Sequence, residues 1–138
     1  MIALTRRYEF PAAHLLVQPL LSDAENRRLY GKCANPNGHG HNYGVEVTVS
    51  GRVDSLSGRI AEPHTLDEIF DERVRARFAH RNLNDDPAFA DRVPTAENIA
   101  QVIHDELAAA IGERTGARLV RVRVQETRRN SFVYGVMA

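Results

Sequence analysis

The chain has one cysteine, Cys33, so no intrachain disulfide framework can support its fold. It carries no net charge, with 18 basic residues against 18 acidic ones. Such a balance offers neither the basic face that nucleic acid requires nor a polybasic membrane anchor, so neither nucleic acid nor membrane is an expected partner. No apolar run approaches membrane-spanning length. The N-terminus also lacks the charged-then-apolar pattern of a secretory signal, because Arg6 and Arg7 are followed by an alternating strand. A reducing, cytoplasmic location is the default expectation. Lysine is nearly missing as well: Lys32 is the sole one, and arginine supplies the other basic residues. That bias reads as a compositional habit, with interest confined to Lys32 because it adjoins Cys33.

What is present fits one globular domain, residues 1–138, of ordinary composition: 43% hydrophobic and 26% charged, enough to bury a core. Strand side chains alternate between faces. In the run from His39 to Val49 the odd positions read His39, His41, Tyr43, Val45, Val47 and Val49, so both imidazoles share the apolar side. In the first run Ile2, Leu4, Tyr8, Phe10, Ala12 and His14 share one parity, broken only by Arg6. If these two strands pair antiparallel, His14 comes to lie beside His39 and His41. A lone histidine at a strand end is ordinarily a hydrogen-bonded rim residue. Three converging imidazoles are instead the protein part of a catalytic zinc site, which keeps its fourth position open.

The rest of the chain punctuates readily. Residues 20–37 form a long polar connection ending in the turn Asn35-Pro36-Asn37-Gly38, and the second strand ends near Gly51. A helix is expected from Thr65, with Thr65 as N-cap and Glu68 completing a capping box, and with Leu66, Ile69, Phe70, Val74 and Phe78 on its buried side. After a polar loop from His80 to Pro94, a second helix begins at Thr95 and is expected to end at Gly112. Strands over 119–127 and 131–137 complete a ββααββ order, an α+β domain with a mostly antiparallel sheet. In the third strand Val120, Val122 and Val124 share one face, and continuing the period puts Glu126 there too. Either the strand has ended and Glu126 faces solvent, or a buried acid, costly unless used, grips a donor-rich heterocycle with its two acceptor oxygens. Cys33, in a polar loop beside Lys32 and close to a metal, is expected to have a depressed pKa and to act as base or nucleophile. His80 is a candidate general acid or base by residue type.

The stretch from Leu29 to Tyr43, containing Cys33-Ala34-Asn35-Pro36-Asn37-Gly38-His39-Gly40-His41, resembles the signature of 6-pyruvoyl-tetrahydropterin synthases. Phe10 to His14 is similar to that family's first zinc-ligand motif. His80 to Leu83, Pro94 to Asn98 and Val124 to Thr127 resemble its later motifs, in the same order. The resemblance implies the T-fold: a four-stranded antiparallel sheet with two helices on one face, closed into an oligomeric barrel, as a homohexamer of two trimers with active sites where subunits meet. It also implies a lyase that takes 7,8-dihydroneopterin triphosphate, releases triphosphate and rearranges the side chain by internal redox. Zinc would sit on His14, His39 and His41, and magnesium would accompany the triphosphate. Cys33 would be the proton-abstracting base, His80 its relay, Glu126 the catalytic anchor of the pterin ring, and Thr95 and Glu97 further substrate contacts. The related 6-carboxy-tetrahydropterin synthases of queuosine precursor synthesis, which also release acetaldehyde, have a shorter gap between cysteine and HGH. Here five residues, 34–38, intervene.

Two departures stand out. Family members usually carry aspartate before the relay histidine, whereas this chain has Ala79, leaving Asp85 or Asp86 as substitutes; this raises a catalytically weak pterin-binding paralogue as another reading. The segment Gly58 to His64 is also less apolar than its family counterpart. An unrelated zinc hydrolase is disfavoured because no obvious water-activating glutamate lies near His39 and His41.

Overall fold

The computed structural model describes residues 1–137. Four strands, β1 (Ile2–His14), β2 (His39–Gly51), β3 (Arg118–Gln125) and β4 (Ser131–Gly135), form one antiparallel sheet in the order β1-β2-β3-β4. Helices α2 (Pro63–Phe70) and α4 (Ala96–Thr115) supply the other layer of the core. A π-helical turn at Asp71–Arg75 and the short α3 (Ala76–Phe78) carry α2 on to the end of the expected helix. The strand alternation holds: Tyr8, Phe10 and Ala12 of β1 and Tyr43, Val45, Val47 and Val49 of β2 are buried against Ile69, Phe70, Ile99 and Ile103. Burying each large apolar side chain contributes about 1.5–3 kcal/mol.

Arg6, the break in the β1 pattern, is accounted for by Asp67 on α2. Its guanidinium donates to both carboxylate oxygens at 3.1 and 2.7 Å, and the Tyr8 hydroxyl donates to the same carboxylate at 2.8 Å. The Arg6 hydrogen bond, with smaller help from Tyr8, holds the Asp67 carboxyl below its usual range despite partial burial. A depressed folded-state pKa stabilises the fold above the unfolded value of about 4, and the benefit is lost as pH falls through the folded value. Asp67→Asn should therefore flatten the loss of unfolding free energy as pH falls below about 5. Urea titrations at each pH measure it, and an unaltered slope would show that the contact carries no linked proton.

Several boundaries differ from those expected. The β1–β2 connection contains a further helix, α1 (Asp23–Tyr30), closed at its start by a capping box between Ser22 and Glu25. Helix α2 begins at Pro63 behind Glu62, not at Thr65. Proline at the first helical position has its φ preset for the helix and needs no N–H partner there, and the preceding Glu62 makes no side-chain cap. Helix α4 runs past Gly112 to Thr115, because Gly116 (φ 76°) takes the left-handed cap and returns its N–H to the Gly112 carbonyl. A register shift at Thr48/Val49 puts Leu119 in the core in place of Val120, while Val122 and Val124 remain inside. The last two strands end sooner than expected, at Gln125 and Gly135.

Strand β1 lies at one margin of the sheet and β4 at the other. Near its C-terminal end β1 is lined by the segment after α3. His80 N–H donates to Pro11 O at 2.7 Å, Ala13 N–H donates to Arg81 O at 2.9 Å, and the Asn84 side chain pairs with both backbone groups of Leu15 at 2.8 Å.

Candidate metal centre and active site

The β1–β2 register brings the histidines together. Pairing places His14 opposite His39 and Ala12 opposite His41, so the three rings converge at one end of the buried sheet face. The turn delivering His39 needs Gly38, whose φ is +66° and whose Cβ, if present, would lie 3.1 Å from the His14 carbonyl oxygen. His14 Nε2 lies 3.1 Å from His39 Nε2, which lies 2.8 Å from His41 Nε2. The His14 Nδ1 atom is 2.9 Å from the Pro94 carbonyl, which can only accept, so Nδ1 carries the hydrogen and Nε2 keeps a lone pair facing its neighbours. Burial, the largest influence, lowers the His14 pKa to about 4 and leaves the ring neutral at physiological pH. Burial and then His41 lower that of His39.

Clustered imidazole nitrogens suit a cation. A tetrahedral zinc ion with ordinary bonds separates its nitrogens by about 3.3 Å, a few tenths more than the spacing here. The donor set therefore fits zinc.

Cys33 lies on a 3-10 turn, Gly31–Ala34, with Sγ 3.5 Å from His39 Nε2. The turn is tied to the end of β1 by Leu16 N–H donating to Cys33 O at 2.7 Å. The expected depression of the thiol pKa is not what the protein groups alone produce. Burial, and then the Glu126 charge, push it up, while Lys32 is exposed to water. Glu126 follows the last residue of β3 and is half-buried, which raises its own pKa; His41 opposes that rise and Glu97 adds to it. His14, Cys33 and His39 offer ligand atoms within 4.8 Å of one another, and so do His14, His41 and Glu126. Three imidazoles, a thiol and a carboxylate thus share one small site.

Thr95 is the N-cap of α4, its hydroxyl accepting from Asn98 N–H at 3.3 Å, and Glu97 is exposed in the first turn of that helix. His80 stands apart from this group. Its backbone is in the left-handed region (φ 61°), and its side chain is exposed at the margin of β1, beside Pro11, Gly40, His41 and Asn42. Among the described residues no carboxylate hydrogen-bonds it: Asp86 is taken by Arg77 at 2.8 and 2.7 Å, and Asp85 is exposed to solvent.

Residues 3–136 match the model of the 6-pyruvoyl tetrahydropterin synthase family. The chain belongs to that family. It is 44% identical over 131 residues to the 6-pyruvoyl tetrahydrobiopterin synthase of Homo sapiens, covering 94% of this chain and 88% of the relative. The solved structure of Caenorhabditis elegans 6-pyruvoyl tetrahydropterin synthase agrees with a TM-score of 0.89 at 36% identity, covering 99% of this chain and 96% of that one. A shorter match, 40% identical over 88 residues, covers 64% of this chain and 67% of an Archaeoglobus fulgidus protein provisionally named a 6-carboxy-5,6,7,8-tetrahydropterin synthase.

The four-stranded unit is thus the T-fold of a 6-pyruvoyl tetrahydropterin synthase family member. Among the described residues no helix is long and apolar enough to cross a membrane. Two contributors to the site escape sequence reasoning. Tyr43 is fully buried with its hydroxyl 3.1 Å from His14 Nδ1, and burial, Glu126 and Cys33 together raise its pKa. Its parity with His39 and His41 was the available signal, but an aromatic on a core face reads first as packing. The Pro94 carbonyl is a backbone group and leaves no signature in the sequence.

Proposed function

We propose that this chain is a zinc-dependent lyase that converts 7,8-dihydroneopterin triphosphate to 6-pyruvoyl-tetrahydropterin with release of triphosphate. The observation that carries this is the convergence of His14, His39 and His41 with Cys33 and Glu126 at one end of the sheet, in a chain of this family. His14, His39 and His41 would hold the zinc, which when bound supplies Lewis-acid polarisation of the substrate's side-chain oxygens. Cys33 takes the proton from the adjacent side-chain carbon, which requires its thiolate form. Glu126 accepts hydrogen bonds from the ring donors of the pterin and so fixes the reacting carbons beside the thiolate. Thr95 and Glu97 line the same end of the molecule and complete the ring pocket. Magnesium accompanies the triphosphate as its counterion.

His80 serves as the proton relay to a Cys33 of a neighbouring copy. Two features support this: His80 is exposed and lies outside the cluster that contains its own Cys33, and the sheet ends in β1 and β4. A hexamer of two trimers would close those margins into barrels. The 6-carboxy route is a second reading, favoured by the partial likeness to the Archaeoglobus protein. The five-residue spacer 34–38 favours the 6-pyruvoyl route.

Zinc dependence tests the proposal. Protein stripped with chelator should release no triphosphate from the substrate, and reloading with about one zinc per chain should restore release. Undiminished release by the stripped protein would refute a zinc-dependent lyase.

A further inference from the structure

The imidazole of His14 is oriented by a backbone carbonyl, and that carbonyl belongs to a turn with little to hold it. Pro94 has no N–H of its own to anchor the turn. Thr95 N–H donates to Val93 O at 2.8 Å across the proline, a tight three-residue turn. A second donor reaches the same Val93 oxygen: the side-chain Nδ2 of Asn98, also at 2.8 Å. Asn98 is in turn fixed in the first turn of α4, its N–H capped by Thr95 Oγ1 at 3.3 Å. A chain of contacts therefore runs from Asn98 to Val93, through Pro94 O, to His14 Nδ1 at 2.9 Å. The other ligands lack this support within the chain. His39 Nδ1 is buried with no partner among the described residues.

We propose that Asn98 is a positioning residue for the metal centre: by holding the Val93–Thr95 turn it presents the Pro94 carbonyl that keeps His14 in the Nδ1–H tautomer, with Nε2 free to bind metal. The proposal rests on the zinc reading above. Groups that orient a metal-bound histidine typically change metal affinity by about 10–100-fold when lost. With the amide gone, Val93 O keeps only the short-range Thr95 donor, the Pro94 carbonyl is free to swing away, and His14 is free to place its proton on Nε2, where it blocks the metal.

Two variants separate this role from simple helix stability. Asn98→Ala removes the amide. Asn98→Asp is nearly isosteric and puts a negative charge in the first turn of α4, which favours the helix, yet it has no hydrogen to donate to Val93 O. Full-length protein would be titrated with zinc against a chromophoric chelator. In the zinc-free protein, ring-nitrogen NMR shifts would report the His14 tautomer, and thermal unfolding would report stability. The expected result is zinc affinity about 10–100-fold weaker in both variants, a mixed His14 tautomer, and an Asp variant that remains folded at the temperature of the titration. If the Ala variant fails to fold, the Asp variant decides. Wild-type zinc affinity together with an unmixed Nδ1–H tautomer in Asn98→Asp would overturn the inference. A wild-type chain that does not bind zinc would overturn the metal reading instead, and the tautomer measurement would still decide the role of Asn98.

Discussion

Cys33→Ala should lower turnover by about 10²–10⁴-fold, the usual contribution of a positioned general base, while zinc content and pterin binding persist. The fold has little stake in the thiol. Cys33 is half-buried, and its turn is held through its backbone carbonyl, not through sulfur. Its chemistry is another matter, because Sγ lies 3.5 Å from His39 Nε2, beside the histidine cluster. Burial and Glu126 favour the neutral thiol, so the protein groups alone do not make a base of it. A divalent charge on three neutral imidazoles has the opposite sign and favours the thiolate. The loss should appear in kcat with KM little changed, since a base acts in the transition state and not in ground-state binding. Equal kcat in wild type and Cys33→Ala would assign the base elsewhere.

Replacing both His39 and His41 with alanine should abolish zinc binding and with it all measurable turnover. Only His14 would remain of the imidazole set, and one buried nitrogen does not retain the ion against chelator. The sheet should survive, because β1 and β2 are joined by a backbone ladder from Ile2↔Gly51 to His14↔His39 whose apolar centre is untouched. Metal analysis after dialysis, alongside far-ultraviolet circular dichroism, reads both outcomes. A folded double variant that retains about one zinc per chain would show that the ligands lie elsewhere.

The parts of this architecture that repeat with a clear period were legible in the sequence. Strands β1 and β2 alternate with large apolar residues inward, and their antiparallel pairing alone carries His14 to His39. Helix α1 was missed because it has no apolar stripe. Its one buried residue is Asn26, an amide whose oxygen accepts from Gln18 N–H at 2.8 Å and whose nitrogen donates to the Gln18 and Leu21 carbonyls. Only the Ser22 and Glu25 spacing marked it. Gly112 was expected to cap α4, but the helix runs on to the left-handed Gly116, a choice set by packing: Ile111 and Ala117 are both buried. The Leu119-for-Val120 exchange comes from a bulge, which period-two counting does not register.

Within the site, the convergence of His14, His39 and His41 was legible because imidazoles are rare on a core face. The electrostatics of Cys33 were not, because adjacency to Lys32 in sequence says nothing of where that ammonium points, and it is exposed to water. The orienting carbonyl of Pro94 and the hold of Asn98 on its turn depend on a contact between residues 80 positions apart, His14 and Pro94. His80 presents the reverse case. Its residue type made it a relay candidate, but it is exposed beside Pro11, Gly40, His41 and Asn42, outside the Cys33 cluster, so that role is a proposal resting on how copies assemble.

The central claim is tested most directly by the mass of the pterin formed when zinc-loaded protein is given 7,8-dihydroneopterin triphosphate and magnesium. The account predicts free triphosphate and a tetrahydropterin that retains its three-carbon side chain as a diketone. A side chain shortened to a carboxylate with acetaldehyde released would establish the 6-carboxy route, and intact substrate held tightly by the zinc-loaded protein would mark a binding paralogue; either result would contradict the assignment.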